Sequence, residues 1–370
     1  MPQVSYGVIL TRGAARAEVA LQSIAAQQVS AEMLLVLNDA DAAMRELAAR
    51  WAARGARVVH DGADLGMVLA YNVALRESRA PLFCTVHEDC ELAAGCVERL
   101  LATLHEHEEA AAVVPSVDTP AATGLGANVV WSDGATSQLS VSGRDAVIAT
   151  DYGASNCQVL RRDVLASLGG FDLDLFPAIY ADADVGVRLW QTGWAVLCDQ
   201  RARNFHRVGA MVDEARGPRH SAAHRQFLLE RNRKRFVAKH EEWLSGQPVR
   251  ADLEDASHPE ENEIEDALTL TTSRWRDLPR PRGIPGVPRV DIPDSLEDTV
   301  AMLRSEVTEE FLAHLLERND QLANENARLH AAFAELHAEH VALHEHVADV
   351  QRAHNEMRAE LDRLREAAAN

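Results

Sequence analysis

The chain has no apolar run approaching the ~18 residues that a membrane-crossing helix requires, so none is expected. It has no Cys-x-x-Cys pair. Its five cysteines, Cys84, Cys90, Cys96, Cys157 and Cys198, are odd in number, which argues against a disulfide framework and a zinc ribbon. Reduced thiols and a cytoplasmic location are the simpler expectation. The first residues lack the basic start and apolar core of a signal peptide. Bases are in deficit. Lys and Arg total 37 against 57 Asp and Glu, which leaves 370 residues with a net charge of −20. That excludes broad binding to a nucleic-acid backbone. What is present is globular: 47% apolar and 25% charged residues exclude wholesale disorder.

Residues 1–245 alternate strand and helix signals. Strands are predicted at 4–10, 33–37, 57–60 and 82–86, with a fifth ending at Val113-Val114-Pro115. Helices are predicted at 16–28, 44–54, 67–77 and 93–107. The alternation implies an α/β fold, a Rossmann-like, mostly parallel sheet flanked by helices. Ligands in such sheets sit beyond the carboxyl ends of the strands. The stretch between Pro115 and Asp151 carries no readable motif.

Residues 246–294 change character. An acidic run from Asp252 to Asp266 precedes Pro279, Pro281, Pro285, Pro288 and Pro293, interleaved with Arg280, Arg282 and Arg289. A partly extended linker is expected. Residues 295–370 follow as a third part. Leu315, Leu322, Leu329, Leu336, Leu343, Val350, Met357 and Leu364 recur every seven residues. Leu312, Asn319, Asn326, Phe333, His340, Val347, His354 and Leu361 each lie three residues earlier. This is a heptad with a mostly Leu d position and a mixed a position, and it predicts a coiled coil of ~75 Å. Asn319 and Asn326 at a favour a parallel homodimer through residues 312–364. In that register Glu325 meets His330, Glu339 meets His344 and Glu360 meets Arg365 across the seam. Protonating both copies of His340 and His354 would bury like charges, so the coil is expected to weaken near pH 6 unless these imidazoles reach solvent.

Polar groups just after the strands are the candidates for chemistry. Asn38-Asp39 follows the second strand, where an acid accepts a base N–H or caps the next helix. His87-Glu88-Asp89 follows the fourth, and carboxylates there suit a hard divalent cation on a diphosphate, or a helix cap. In Tyr180 to Leu189, read as a helix, Asp182 shares a stripe with Val185 and Leu189, whereas Asp184 faces Arg188 at i+4. Asp182 is therefore the candidate general base and Asp184 a structural ion pair. Asn204-Phe205-His206-Arg207 follows a strand at 194–197, and His206 could ligate metal, donate to phosphate or simply pack. Arg231, Arg233, Lys234, Arg235 and Lys239 form either an anion or membrane-surface patch or an ordinary helix surface.

In this order the motifs resemble the family 2 glycosyltransferases, especially the rhamnosyltransferase-like branch, over residues 4–240. The elements are Thr11-Arg12, Asp39, Asp64-Leu65-Gly66 through Ala70-Tyr71-Asn72, and His87-Glu88-Asp89. They continue with Arg161 to Leu165, Gly169-Gly170-Phe171-Asp172, Ala181-Asp182-Ala183-Asp184 and His206. The resemblance implies a GT-A fold, a UDP- or dTDP-linked sugar donor, Mg2+ or Mn2+, and inversion at the anomeric carbon. It assigns Asp39 to the nucleobase and Thr11, Arg12, Asn72 and Glu88 to the donor. It assigns Asp89 and His206 to the metal and Asp182 to the acceptor proton. Three positions depart from the family: His87 replaces an acid, leaving the metal to Asp89 with help from Glu88, Asp64 replaces Asn, and Ala181 replaces Glu.

The reading is therefore a metal-dependent transferase acting on a glycan or lipid-linked acceptor in surface or cell-envelope polysaccharide synthesis. Peripheral attachment to a membrane stays open. The alternative is a non-catalytic scaffold, which Ala181 and the length of the coil favour and which Asp89 and Asp182 oppose. A nucleotidyltransferase is disfavoured because no Gly-rich signature followed by Lys stands near the N-terminus.

Overall fold

The structure is a computed structural model that describes residues 1–140, 142–143, 146–207, 218–249, 261–278, 284, 289–290, 292 and 295–369. The chain forms two compact units, Met1–Val307 and Thr308–Asn370.

The first unit opens with β1 (Val4–Leu10), α1 (Ala14–Ala25), β2 (Ala31–Asn38), α2 (Ala42–Ala52), β3 (Arg57–Gly62), α3 (Gly66–Glu77) and β4 (Leu82–His87). It continues with β5 (Cys90–Leu92), α4 (Cys96–Glu106), β6 (Ala110–Asp118), β7 (Leu125–Val130), β8 (Thr136–Ser140), β9 (Val147–Ala149), β10 (Cys157–Arg161) and α5 (Arg162–Ser167). It ends with α6 (Ala181–Gln191), β11 (Ala195–His206), α7 (Ala222–Leu244), α8 (Glu261–Arg276) and the start of α9 (Leu296–Ala369).

The sheet order is β3-β2-β1-β4-β10-β6-β11-β5, with β7 on β6, β8 on β7 and β9 on β11. Strands β3, β2, β1 and β4 run parallel, and β6 runs parallel to β11. The apolar runs of β1, β2 and β4 are buried on both faces, as expected of strands covered by helices on either side. Strand β10 is inserted antiparallel between β4 and β6, pairing Cys157 with Val86 and Val159 with Val113. Its direction brings the start of β10 to the edge where β4 ends. Strand β11 is longer than the predicted 194–197, so Asn204 and His206 lie within it. Its second half has no apolar run, yet Ala202 and Asn204 are buried while Arg201 and Arg203 are exposed. Pairing of His206 with Cys90 draws the end of β11 to the turn after β4.

Two loops complete the edge. Gly66 has φ +63°, and a Cβ there would lie 2.7 Å from Pro177 Cβ and 2.8 Å from its carbonyl oxygen. Only glycine allows this approach, which lets Met67 and Val68 donate to the Pro177 carbonyl at 2.7 and 3.2 Å. Farther along, Ile179 and Tyr180 both take left-handed backbone angles, φ 64° and 68°, just before α6. The Asn232 amide on α7 donates to the carbonyls of Leu175, Ala178 and Ile179 and holds this bend.

Helix α6 is fixed from its far side. Asp184 is fully buried and accepts from Arg188 at 2.7 Å, as its i+4 spacing predicts. It also meets Lys239 at 2.6 Å and His240 at 2.8 Å, both on α7. Burial pushes the Asp184 carboxyl up, but the His240 bond and the Arg188 and Lys239 charges outweigh it and hold it well below the usual carboxylate range. Lys234 of the basic stretch on α7 is exposed, and the other four members are engaged within this unit. Arg231 bonds the Phe176 carbonyl, Arg233 reaches Asp133, Arg235 reaches Glu306, and Lys239 serves Asp172 and Asp184.

The stretch expected to be a linker contains α8. Ala267, Leu268 and Thr271 are buried there, and Thr271 and Arg274 bond Asp151 at 3.1 and 3.3 Å. The acidic residues of that stretch hid this short inward stripe. Asp252, Glu254, Asp255, Glu260, Pro279, Arg280, Pro281, Arg282, Pro285, Pro288 and Pro293 lie outside the described residues. The first turns of α9 belong to this unit: Val300, Leu303 and Val307 are buried, and Arg304 bonds Asp64. In the second unit α9 is one helix, and Leu312, Leu315, Leu322, Leu329, Phe333, Leu336, Leu343, Val347, Val350, Met357 and Leu361 are exposed on it. The side chains of Glu360 and Leu364 lie outside the described residues. No described helix is long and apolar enough to cross a membrane.

Candidate active site

Three side chains converge at the carboxyl edge of the sheet. His87 ends β4, Asp89 sits in the turn into β5, and His206 ends β11. One ligand atom from each lies within 4.8 Å of the others. His206 Nε2 is 3.3 Å from Asp89 Oδ1, and its Nδ1 is 3.3 Å from the Asn156 amide. Burial, then the neighbouring His206, pushes the His87 imidazole down to about 4. It is therefore neutral near pH 7, with a lone pair to offer. Burial raises the Asp89 carboxyl, but the hydrogen bond and charge of His206 outweigh this and keep it below the usual range. A neutral imidazole and an ionised carboxylate, preset in this way, fit a divalent cation.

Glu88 points to Thr11 and Arg16. Its carboxylate accepts from Thr11 N at 2.7 Å and Thr11 Oγ1 at 2.5 Å, with Arg16 at 3.7 Å. Burial nevertheless pushes it up, against those bonds. Glu88 thus ties the end of β1 to the end of β4, and the side chain that stands with Asp89 and His206 is that of His87. The alternation of side chains along an extended segment, which puts positions 87 and 89 on one side, was the available signal.

Asp182 opens α6 and faces the same edge. Its carboxylate accepts from Ser155 N at 3.4 Å and Ala183 N at 3.0 Å. Burial pushes it above the ordinary carboxylate range in spite of these bonds. Ser155 Oγ lies 3.5 Å from His87 Nε2, so this one serine stands between the carboxylate and the three-ligand cluster. Ser155 and Asn156 carry no motif, and only the direction of β10 delivers them.

Asp39 stands exposed at the end of β2 with φ 52°, its N–H donating to the Gly62 carbonyl at 3.0 Å. Beneath it Asn38 donates to Asp64 at 2.6 Å and accepts from Leu65 N. Arg12 is exposed just beyond β1. Asn72 is elsewhere. It is 1% exposed, and both ends of its amide bond the Phe171 backbone.

Residues 9–165 match the model of the family described as glycosyl transferase family 2. Among solved structures, the crystal structure of GalNAc-T7 with UDP, GalNAc and Mn2+ is similar at 14% identity and a TM-score of 0.52, covering 72% of this chain and 54% of that one. The chain thus spans about half the length of that protein. Mannosyltransferase PcManGT from Pyrobaculum calidifontis, in complex with GDP-Man and Mn2+, aligns at 15% identity and a TM-score of 0.46, covering 87% and 80%. No curated protein matches the chain. The fold is GT-A-like, a mostly parallel sheet flanked by helices, and it is followed by a long C-terminal helix.

Proposed function

We propose that the chain is a metal-dependent, inverting glycosyltransferase that uses a nucleotide-diphospho-sugar. The observation that carries this reading is the meeting, across Ser155, of a carboxylate raised by burial and the His87, Asp89 and His206 cluster. The family match over residues 9–165 supports it. Two imidazoles beside one carboxylate favour Mn2+ over the oxygen-seeking Mg2+. When bound, such an ion would neutralise charge on the leaving diphosphate.

The chain's own residues supply the remainder. Asp39 accepts a base N–H, with Thr11 and Arg12 beside it, and the Thr11–Glu88 tie fixes the β1 and β4 ends on which the donor rests. Asp182 takes the proton of an acceptor hydroxyl as its oxygen bonds to the anomeric carbon and the bond to the diphosphate breaks. A single displacement assisted by one base inverts that centre, unlike the two-carboxylate scheme of retaining hydrolases. The acceptor is a glycan or lipid-linked hydroxyl of a surface polysaccharide. The exposed heptad stripe of α9 joins two copies.

The test is thermal stabilisation by a panel of UDP-, dTDP- and GDP-sugars with and without Mn2+. A ligand of the folded state must raise the melting temperature. One nucleotide is expected to give a shift that needs Mn2+. No shift with any of them would turn the reading to a non-catalytic scaffold.

A further inference from the structure

We propose that His340 and His344 of α9, together with Glu339 of a second copy, form a transition-metal clamp across a parallel coil. The proposal rests on the dimer reading above.

An imidazole at a heptad a position interrupts a seam that is otherwise apolar from Phe333 to Val347. A polar group in a seam is costly unless it has a partner. Within one chain His340 has one: its ring lies 4.5 Å from that of His344, edge to face, one turn further along. Two histidines at i and i+4 on one helical face are a spacing that closes on a single zinc-type ion. Both are exposed. The other seam histidines lack this arrangement. His337 lies along the Phe333 ring at 6.4 Å, His330 has Asn326 one turn back, and His354 has Arg358 one turn on.

Among the described residues of one chain no third His, Cys, Asp or Glu closes on this pair. The second copy supplies the third. Asn319 and Asn326 at a fix a parallel, in-register pair. In that register position g of one helix meets position e of the next heptad on the other. The partner's Glu339 therefore comes to His344, just as the partner's Glu325 comes to His330. Two nitrogens and a carboxylate suit zinc or nickel, and the site exists only when two copies are present.

The test uses the full chain freed of metal by chelator. Sedimentation over a dilution series, with and without Ni2+, reads the dimer directly. The chain is expected to be dimeric in both conditions, with dissociation about tenfold tighter or more when Ni2+ saturates. His344→Gln, outside the seam core, should dimerise like the parent without metal and ignore Ni2+. His340→Leu should give a tighter metal-free dimer and likewise ignore Ni2+. Metal taken up at His87, Asp89 and His206 would not move this readout between parent and His344→Gln. A chain monomeric throughout would overturn the dimer and the clamp together. A dimer blind to Ni2+, or one that keeps its response in His344→Gln, would overturn the clamp alone.

Discussion

Asp182→Asn is expected to reduce transfer by about a thousandfold or more while leaving donor binding nearly intact. Ser155 and Ala183 bond different oxygens of the carboxylate, so the amide keeps an acceptor for one of them and removes no proton. The pH dependence separates this from simple damage. Burial raises the Asp182 carboxyl, so kcat/KM of the parent should fall as the pH drops through a value above the ordinary ~4 of an aspartate. The variant's residual rate should lack that limb. Stability should move the other way. A carboxyl raised in the folded state favours folding when protonated, and that contribution is lost as the pH rises through its folded pKa. Removing the ionisable group should therefore raise the melting temperature at pH 7. Loss of donor binding would show that Asp182 is not simply the base.

Asp89→Ala should remove the Mn2+-dependent part of donor stabilisation altogether, and transfer with it, by more than the ~100-fold that loss of a mere supporting partner produces. His87→Ala should do the same. Glu88→Gln should not: it loosens the Thr11 tie, so the melting temperature should fall, but the Mn2+ response should survive. Calorimetric titration of Mn2+ in the presence of nucleotide reads the difference. A lost response in Glu88→Gln with a retained one in His87→Ala would restore the ligand set expected from sequence alone.

The parallel half of the sheet was legible because β1, β2 and β4 are apolar runs closed by turn residues, a pattern local to each strand. The Asp184–Arg188 pair was legible because i+4 spacing is also local. What was hidden depends on distant partners. His240 and Lys239 join Asp184 from another helix. Cys157-Gln158-Val159-Leu160 is short and ambiguous by itself, and nothing in it says that β10 runs against β4. Ser155 and Asn156 were invisible for that reason. Asn72 matched its motif by type, yet the fold uses its amide to hold Phe171. The second half of β11 alternates small or polar buried residues with arginines, which reads as loop until β5 and β6 are in place.

The bend before α6 bears on how the protein would lose activity. Ile179 and Tyr180 sit in backbone conformations that cost non-glycine residues ~1–3 kcal/mol each. The amide of Asn232, a single side chain on α7, restrains them. Asp182 is two residues past Tyr180, so its aim depends on the contacts that α7 makes with this bend and with Asp184. Warming that frees α7 from the bend would let the backbone relax and swing Asp182 away from Ser155 while the parallel strands stay folded. Heat inactivation should therefore come at a lower temperature than unfolding of the sheet. Asn232→Ala should widen that gap, seen as activity lost at temperatures where the far-ultraviolet circular dichroism is still native.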